Sequence, residues 1–210
     1  VPIPTRFTLL SSVGTALVLF TVPLSFTIPD VSIPFMQLLM RGDILVIAPL
    51  VDIAFSRRVR WWSWCALGMV LVAMIVTLSD RGGLKLPPLA ILTVVLYTIG
   101  YFVRLAVMTR IGKNGDDALV RRYFVEEKIV ALPLSIAILA GISASGLGGQ
   151  AGELRWGFID VWSDPAIWPL IGIGTTLTVV SVFAIKILLD PRENAYCVPL
   201  ERAASLVAGV

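Results

Sequence analysis

The sequence predicts an all-α polytopic membrane protein with six full transmembrane helices and part of a seventh, and three observations predict it. Of its 210 residues, 57% are hydrophobic and 15% charged, with a mean hydropathy of +0.90. A soluble domain this apolar would lack the polar surface to cover itself. Apolar runs of about 20 residues recur, the length a helix needs to cross the hydrocarbon core, and helices satisfy their own backbone in lipid. Lys and Arg gather in short connections between those runs, as membrane orientation demands.

The first run, Phe7 to Thr27, ends at Pro29 and Asp30; the second, Val31 to Phe55, ends at the basic cluster Arg57, Arg58 and Arg60. The third, Trp61 to Ser79, opens on Trp61, Trp62 and Trp64, which suit an interfacial belt. The fourth is Leu86 to Thr109, the fifth Ile129 to Leu147 and the sixth Ile167 to Leu189. A seventh starts near Asn194 and reaches Val210 before it is long enough to span. The chain is therefore expected to be cut inside a helix, and its start, Val1-Pro2-Ile3-Pro4, to lack the beginning of a longer parent. Arg110 to Lys128 reads as a charged, solvated connection without a Gly-rich phosphate motif. Gly148 to Pro165, with Trp156, Phe158, Val161 and Trp162 among acidic residues, reads as a short amphipathic helix on the membrane surface.

Alternate connections differ in charge. Arg6, Arg57, Arg58, Arg60, Arg110, Lys113, Arg121, Arg122, Lys128 and Arg192 fall on one side, and only Arg81, Lys85 and Arg155 on the other. Positive residues stay inside, which predicts a cytoplasmic amino terminus in the inner (plasma) membrane of a bacterium. The chain has no histidine and two widely spaced cysteines, Cys65 and Cys197. Histidine-dependent catalysis, a zinc cluster and a disulfide framework have no basis in such a chain, and the cysteines are read as gap fillers. Neither paired-carboxylate nor nucleophile-elbow motifs occur, so no enzyme, cofactor, metal or nucleic-acid partner is expected; the partners are the bilayer, a small solute and protein subunits of a membrane complex.

Charges inside the runs carry the functional reading. Arg41 and Asp43 lie on the order of 15 Å from either end of their segment, too deep to snorkel easily. Each needs a partner or a cavity: Arg41 reads as a substrate-binding or a packing residue, Asp43 as an ion or proton site or a packing partner. Asp52, about a turn from the basic cluster, is expected to reach the interface and its arginines, so that Asp52→Asn is mild. Thr93, Tyr97, Gly100, Tyr101 and Arg104 share one helical face, which either lines a pathway or packs while Arg104 snorkels inward. Lys186 snorkels or serves as a coupling group. Gly172, Gly174, Thr175, Thr176 and Thr178, and likewise Gly141 to Gly149, read as small residues permitting close helix contact.

The stretch LVIAPLVDIAFSRRVRWWSWCALGMVLVAMIVTLSD, Leu45 to Asp80, resembles the drug/metabolite transporter superfamily, EamA-like branch, through Ala48-Pro49-Leu50, the basic turn Arg57 to Arg60, Trp61, Trp62 and Gly68. Val198-Pro199-Leu200-Glu201-Arg202 is a second, fainter echo. The resemblance implies ten helices in two inverted five-helix repeats, with the segments here as the third to ninth. Residues 1–80 would then end the first repeat and 81–210 form the second. The family's third helix runs outward from the cytoplasm, as the first segment does by its basic residues. Glu201 and Arg202 beside Pro199 would either mirror Arg41, Asp43 and Pro49 in the other repeat, the position where secondary transporters bind substrate, or form a charged helix entry in the headgroup region. The function so implied is secondary transport of a small organic solute or metabolite by alternating access. The alternative class is a non-transporting scaffold subunit of a larger membrane complex.

Overall fold

The computed structural model describes residues 5–29, 31, 33–55, 59–61, 64–65, 68–69, 71–72, 75, 87–112, 117–146, 148–188, 194–198 and 200. Among the described residues every regular element is helical: α1 (Arg6–Phe26), α2 (Ile33–Ala54), α3 (Pro88–Gly112), α4 (Asp117–Ser145), α5 (Gly148–Phe158), a 3-10 turn (Asp160–Ser163) and α6 (Ile167–Leu188). Among the described residues three helices, Arg6–Phe26, Pro88–Ile111 and Ala118–Ser145, are long and apolar enough to cross a membrane. The chain is thus a helical integral membrane protein, its 21-residue α1 matching the ~30 Å core at 1.5 Å per residue.

Local chemistry sets the ends. The Thr5 hydroxyl caps α1 by accepting the Thr8 N–H at 3.3 Å. Pro88 opens α3 at a position where a missing N–H costs nothing. Gly146 and Gly148 take positive φ, 64° and 74°, in the turn between α4 and α5, a conformation that glycine adopts without Cβ strain.

The core is the packing of α1 along α3 and α4, with α2 laid on α3. Arg110 near the end of α3 sits over the Phe7 ring at the start of α1, 4.8 Å from its centroid, so the two helices run antiparallel. Toward the other end of α1, Phe20 and Leu24 pack with Leu96, Ile138, Leu139 and the α5 residue Leu154. The other large cluster joins Met36, Met40 and Val51 of α2 to Tyr97, Tyr101 and Leu105 of α3.

Several expectations differ from this structure. Arg110 to Lys128 is no solvated loop: α4 begins at Asp117, and Arg121, Arg122 and Lys128 are helical. Ser11 and Thr15 on α1 and Arg104 on α3 donate to Glu127 of that stretch, so the helix continues where hydropathy falls. Gly172, Gly174, Gly141 and Gly149 have open space where a Cβ would stand, so among the described residues they mediate no close helix contact. Cys197 is buried as expected of a gap filler, whereas Cys65 is exposed. The Gly148 to Pro165 connection does contain a helix, α5, with Ala151 and Leu154 buried against the bundle and Trp156 and Phe158 exposed.

Candidate functional site

On α1, Thr8, Ser11, Ser12 and Thr15 recur at i, i+3, i+4 and i+7, and all four are buried. A hydroxyl in a membrane helix bonds either to its own backbone or to a neighbouring helix. Ser12 takes the first course, donating to the Thr8 carbonyl at 2.7 Å. Ser11 and Thr15 take the second, and both meet the same acceptor on α4.

That acceptor is Glu127, which is fully buried. It lies nine residues inside the candidate span that begins at Ala118, about 13 Å along the axis. Its Oε1 accepts from the Thr15 hydroxyl, from Ser11 Oγ at 3.2 Å, from Arg104 Nε at 3.2 Å and from the Tyr123 hydroxyl at 3.4 Å. Ser11 Oγ and the Tyr123 hydroxyl are 2.6 Å apart, so when one donates to Glu127 the other donates to it. Oε2 has no hydrogen-bond partner among the described residues. Every donor therefore converges on one oxygen of a carboxylate whose other oxygen is bare.

Glycine makes this convergence possible. A Cβ on Gly14 would stand 2.7 Å from the Gly100 carbonyl, and one on Gly100 would stand 2.6 Å from the Gly14 carbonyl. The backbones of α1 and α3 touch there. Thr15, next to Gly14, and Arg104, one turn beyond Gly100, are thereby brought to Glu127 together. Arg104 does not snorkel: its side chain is 16% exposed and ion-paired to a carboxylate that is 0% exposed. The face predicted on α3 is a real one, with Thr93, Tyr97, Gly100 and Tyr101 buried and the two tyrosine rings stacked at 6.2 Å. A neighbouring pair reaches the surface, where Arg122, itself largely exposed, donates to the buried Glu126 at 2.7 Å.

A second polar node joins α2, α3 and the helical turn at 194–198. Asn194 Nδ2 donates to Asp52 Oδ1 and to Thr109 Oγ1, both at 2.8 Å, and the Ala195 N–H donates to Asp52 Oδ2 at 2.8 Å. Asp52 is buried and holds the start of that turn, a correction to the expectation that it reaches the interface. Acid at a helix start answers the unsatisfied N–H groups there.

Of the residues singled out in sequence, Tyr97, Tyr101 and Arg104 come together. Glu201 and Arg202 lie outside the described residues, as do the side chains of Arg41, Asp43 and Lys186. Glu127, Tyr123, Ser11 and Thr15 were missed, although Ser and Thr at i, i+4 on an apolar run followed by a carboxylate in a later segment are a readable signal. An open groove of about 600 Å³, lined by Ser143, Gly148, Arg155 and Phe158 among others, lies elsewhere. Ser143 is sixteen residues, about 24 Å, along α4 from Glu127. Comparison with protein-family models, with curated proteins and with solved structures gives no match.

Proposed function

We propose that this protein is a secondary transporter that moves a small organic solute across the membrane by alternating access. One observation supports the reading above others: the pair of a partly buried Arg104 with a fully buried Glu127, in helices long and apolar enough to span. Ionisable groups at membrane depth are costly to insert, at least ~2.5 kcal/mol each on insertion scales, and occur chiefly where a pathway or relay needs them. The stacked Tyr97 and Tyr101 continue the Arg104 face along α3 and supply an aromatic wall for a solute. On this reading Arg41, Asp43, Glu201 and Arg202 complete the binding site, and Lys186 stands by as a coupling group. The EamA-like resemblance of Leu45 to Asp80 and the inner-membrane orientation, amino terminus inside, belong to the same proposal.

The test is counterflow in liposomes containing the protein, with radiolabelled amino acids, nucleobases and polyamines as probes. Saturable exchange of one class, weakened in Arg104→Lys at unchanged membrane levels, is expected, because lysine keeps the charge and loses the planar fork. No exchange of any class, together with stoichiometric co-purification with other polypeptides, would replace transport by the scaffold reading.

A further inference from the structure

We propose that Glu127 is a proton-binding site, that the proton is carried on Oε2, and that the solute flux proposed above, on which this coupling rests, is driven by that proton.

The asymmetry of the carboxylate carries the argument. An ionised carboxylate shares its charge between two equivalent oxygens, and each seeks donors. Here Oε1 collects Thr15, Arg104 and one of the Ser11 and Tyr123 hydroxyls, while Oε2, also buried, has no hydrogen-bond partner among the described residues. Leaving half of a buried charge bare costs at least the desolvation of an unmade hydrogen bond, about 1–3 kcal/mol and more for a charged group. A protonated carboxyl has the opposite demand: its carbonyl oxygen is a strong acceptor and its hydroxyl oxygen a weak one. With the proton on Oε2, Oε1 becomes the carbonyl and keeps its donors, and the bare atom is part of a neutral group, which is cheaper to leave unpaired. Loss of the proton returns the ion pair with Arg104. The same donors thus reach Oε1 in both states, and what protonation removes is the counter-charge of Arg104.

The occupant is a proton and not a larger cation because Glu127 is fully buried with donors packed at hydrogen-bond distance around it, and a proton needs no cavity. Among the described residues the charged and titratable groups around the Arg104–Glu127 pair are Tyr101 on α3 and Tyr123, Glu126 and Lys128 on α4. From α1 only the hydroxyls of Ser11 and Thr15 face it. Toward the end of that helix Thr8, one turn before Ser11, has its hydroxyl 3.1 Å from that of the exposed Thr5. Beside it Glu126 pairs with the exposed Arg122.

Infrared difference spectroscopy of the full-length protein between acid and alkaline buffer reads the proton directly as the carbonyl stretch of a carboxylic acid. Wild type should show the band and Glu127→Gln should lose it, while Glu126→Gln keeps it. Arg104→Gln, which removes the opposing charge, should raise the acid-to-carboxylate ratio by about tenfold or more at a given pH. That arm also serves if Glu127→Gln fails to fold. Superimposable wild-type and Glu127→Gln spectra, or an Arg104→Gln ratio equal to wild type, would overturn the site. Counterflow separates the two proposals. Solute exchange that still accumulates against its gradient in Glu127→Gln under an imposed pH difference ends proton coupling and leaves transport standing; a Glu127 band without any solute exchange ends transport and leaves the site.

Discussion

Helices α1 and α6 are built from the same materials and end in opposite situations. Both place Ser, Thr and Gly at helical spacing within an apolar run. On α1 the residues are buried, Gly14 meets the Gly100 backbone, and the Ser11 and Thr15 hydroxyls cross to α4. On α6 every described residue from Trp168 to Ser181 is exposed. Gly172 and Gly174 there face open space, and Thr175, Thr176, Thr178 and Ser181 each donate to the carbonyl four residues back, at 2.7 to 2.9 Å. A small-polar stripe does not by itself make a helix contact. What decides is whether a partner offers a buried acceptor, and for α1 that acceptor is Glu127.

The comparison breaks most severely at the acceptor itself. Glu127→Ala strands Arg104 and the hydroxyls, and should cost about 3–5 kcal/mol of unfolding free energy in detergent, as truncating one partner of a buried pair does. Should Glu127→Ala unfold like wild type, the network would be no determinant of α1 docking. Next comes the notch: Gly100→Ala places a Cβ against a carbonyl that cannot yield, with an expected loss of about 1–3 kcal/mol. Gly174→Ala, with nothing near it, should be neutral or slightly stabilising through helix propensity. Equal losses at both positions, followed by thermal melting in micelles, would erase the distinction drawn here.

Smaller effects sharpen it. Asp52→Asn replaces an acceptor of two N–H groups with an amide that opposes the Asn194 amide, and about 1–3 kcal/mol should be lost. Solvent denaturation of that variant beside wild type checks it, and a loss within error would restore the interface reading of Asp52. Thr15→Val on α1 should cost about 0.6–2 kcal/mol, the range of interhelical hydrogen bonds in membranes. Thr176→Val on α6, losing only a bond to its own helix, should change melting by less than about 0.5 kcal/mol. A larger effect at Thr176 than at Thr15 would reverse the assignment of the two stripes.

Hydropathy located the helices well because lipid demands length and apolarity from each in the same way: α1, α2, α3 and α6 begin and end within a few residues of the runs Phe7 to Thr27, Val31 to Phe55, Leu86 to Thr109 and Ile167 to Leu189. It failed at α4 for an equally physical reason. Starting the fifth run at Ile129 assigned Tyr123, Glu126 and Glu127 to a loop, since a charge counts against a helix when its partner is unseen. The partner, Arg104, was singled out in sequence from its face on α3. Its mate was hidden by the boundary, and the Ser11 and Thr15 hydroxyls by the mildness of their polarity. Asp52 was misread because the amide that receives it, Ala195 N–H, lies 143 residues away.

The contact between Gly14 and Gly100 also limits how the two helices can travel past one another. Each helix has a single notch there, flanked by Leu17, Val18 and Val103 side chains. Sliding α1 by one turn, about 5.4 Å, would press Val18 instead of Gly14 against the backbone of α3. Axial translation is therefore blocked in both directions by ordinary side-chain bulk. Rotation about the crossing point moves no side chain into the notch, so any rearrangement that keeps α1 on α3 has to be a swivel and not a ratchet.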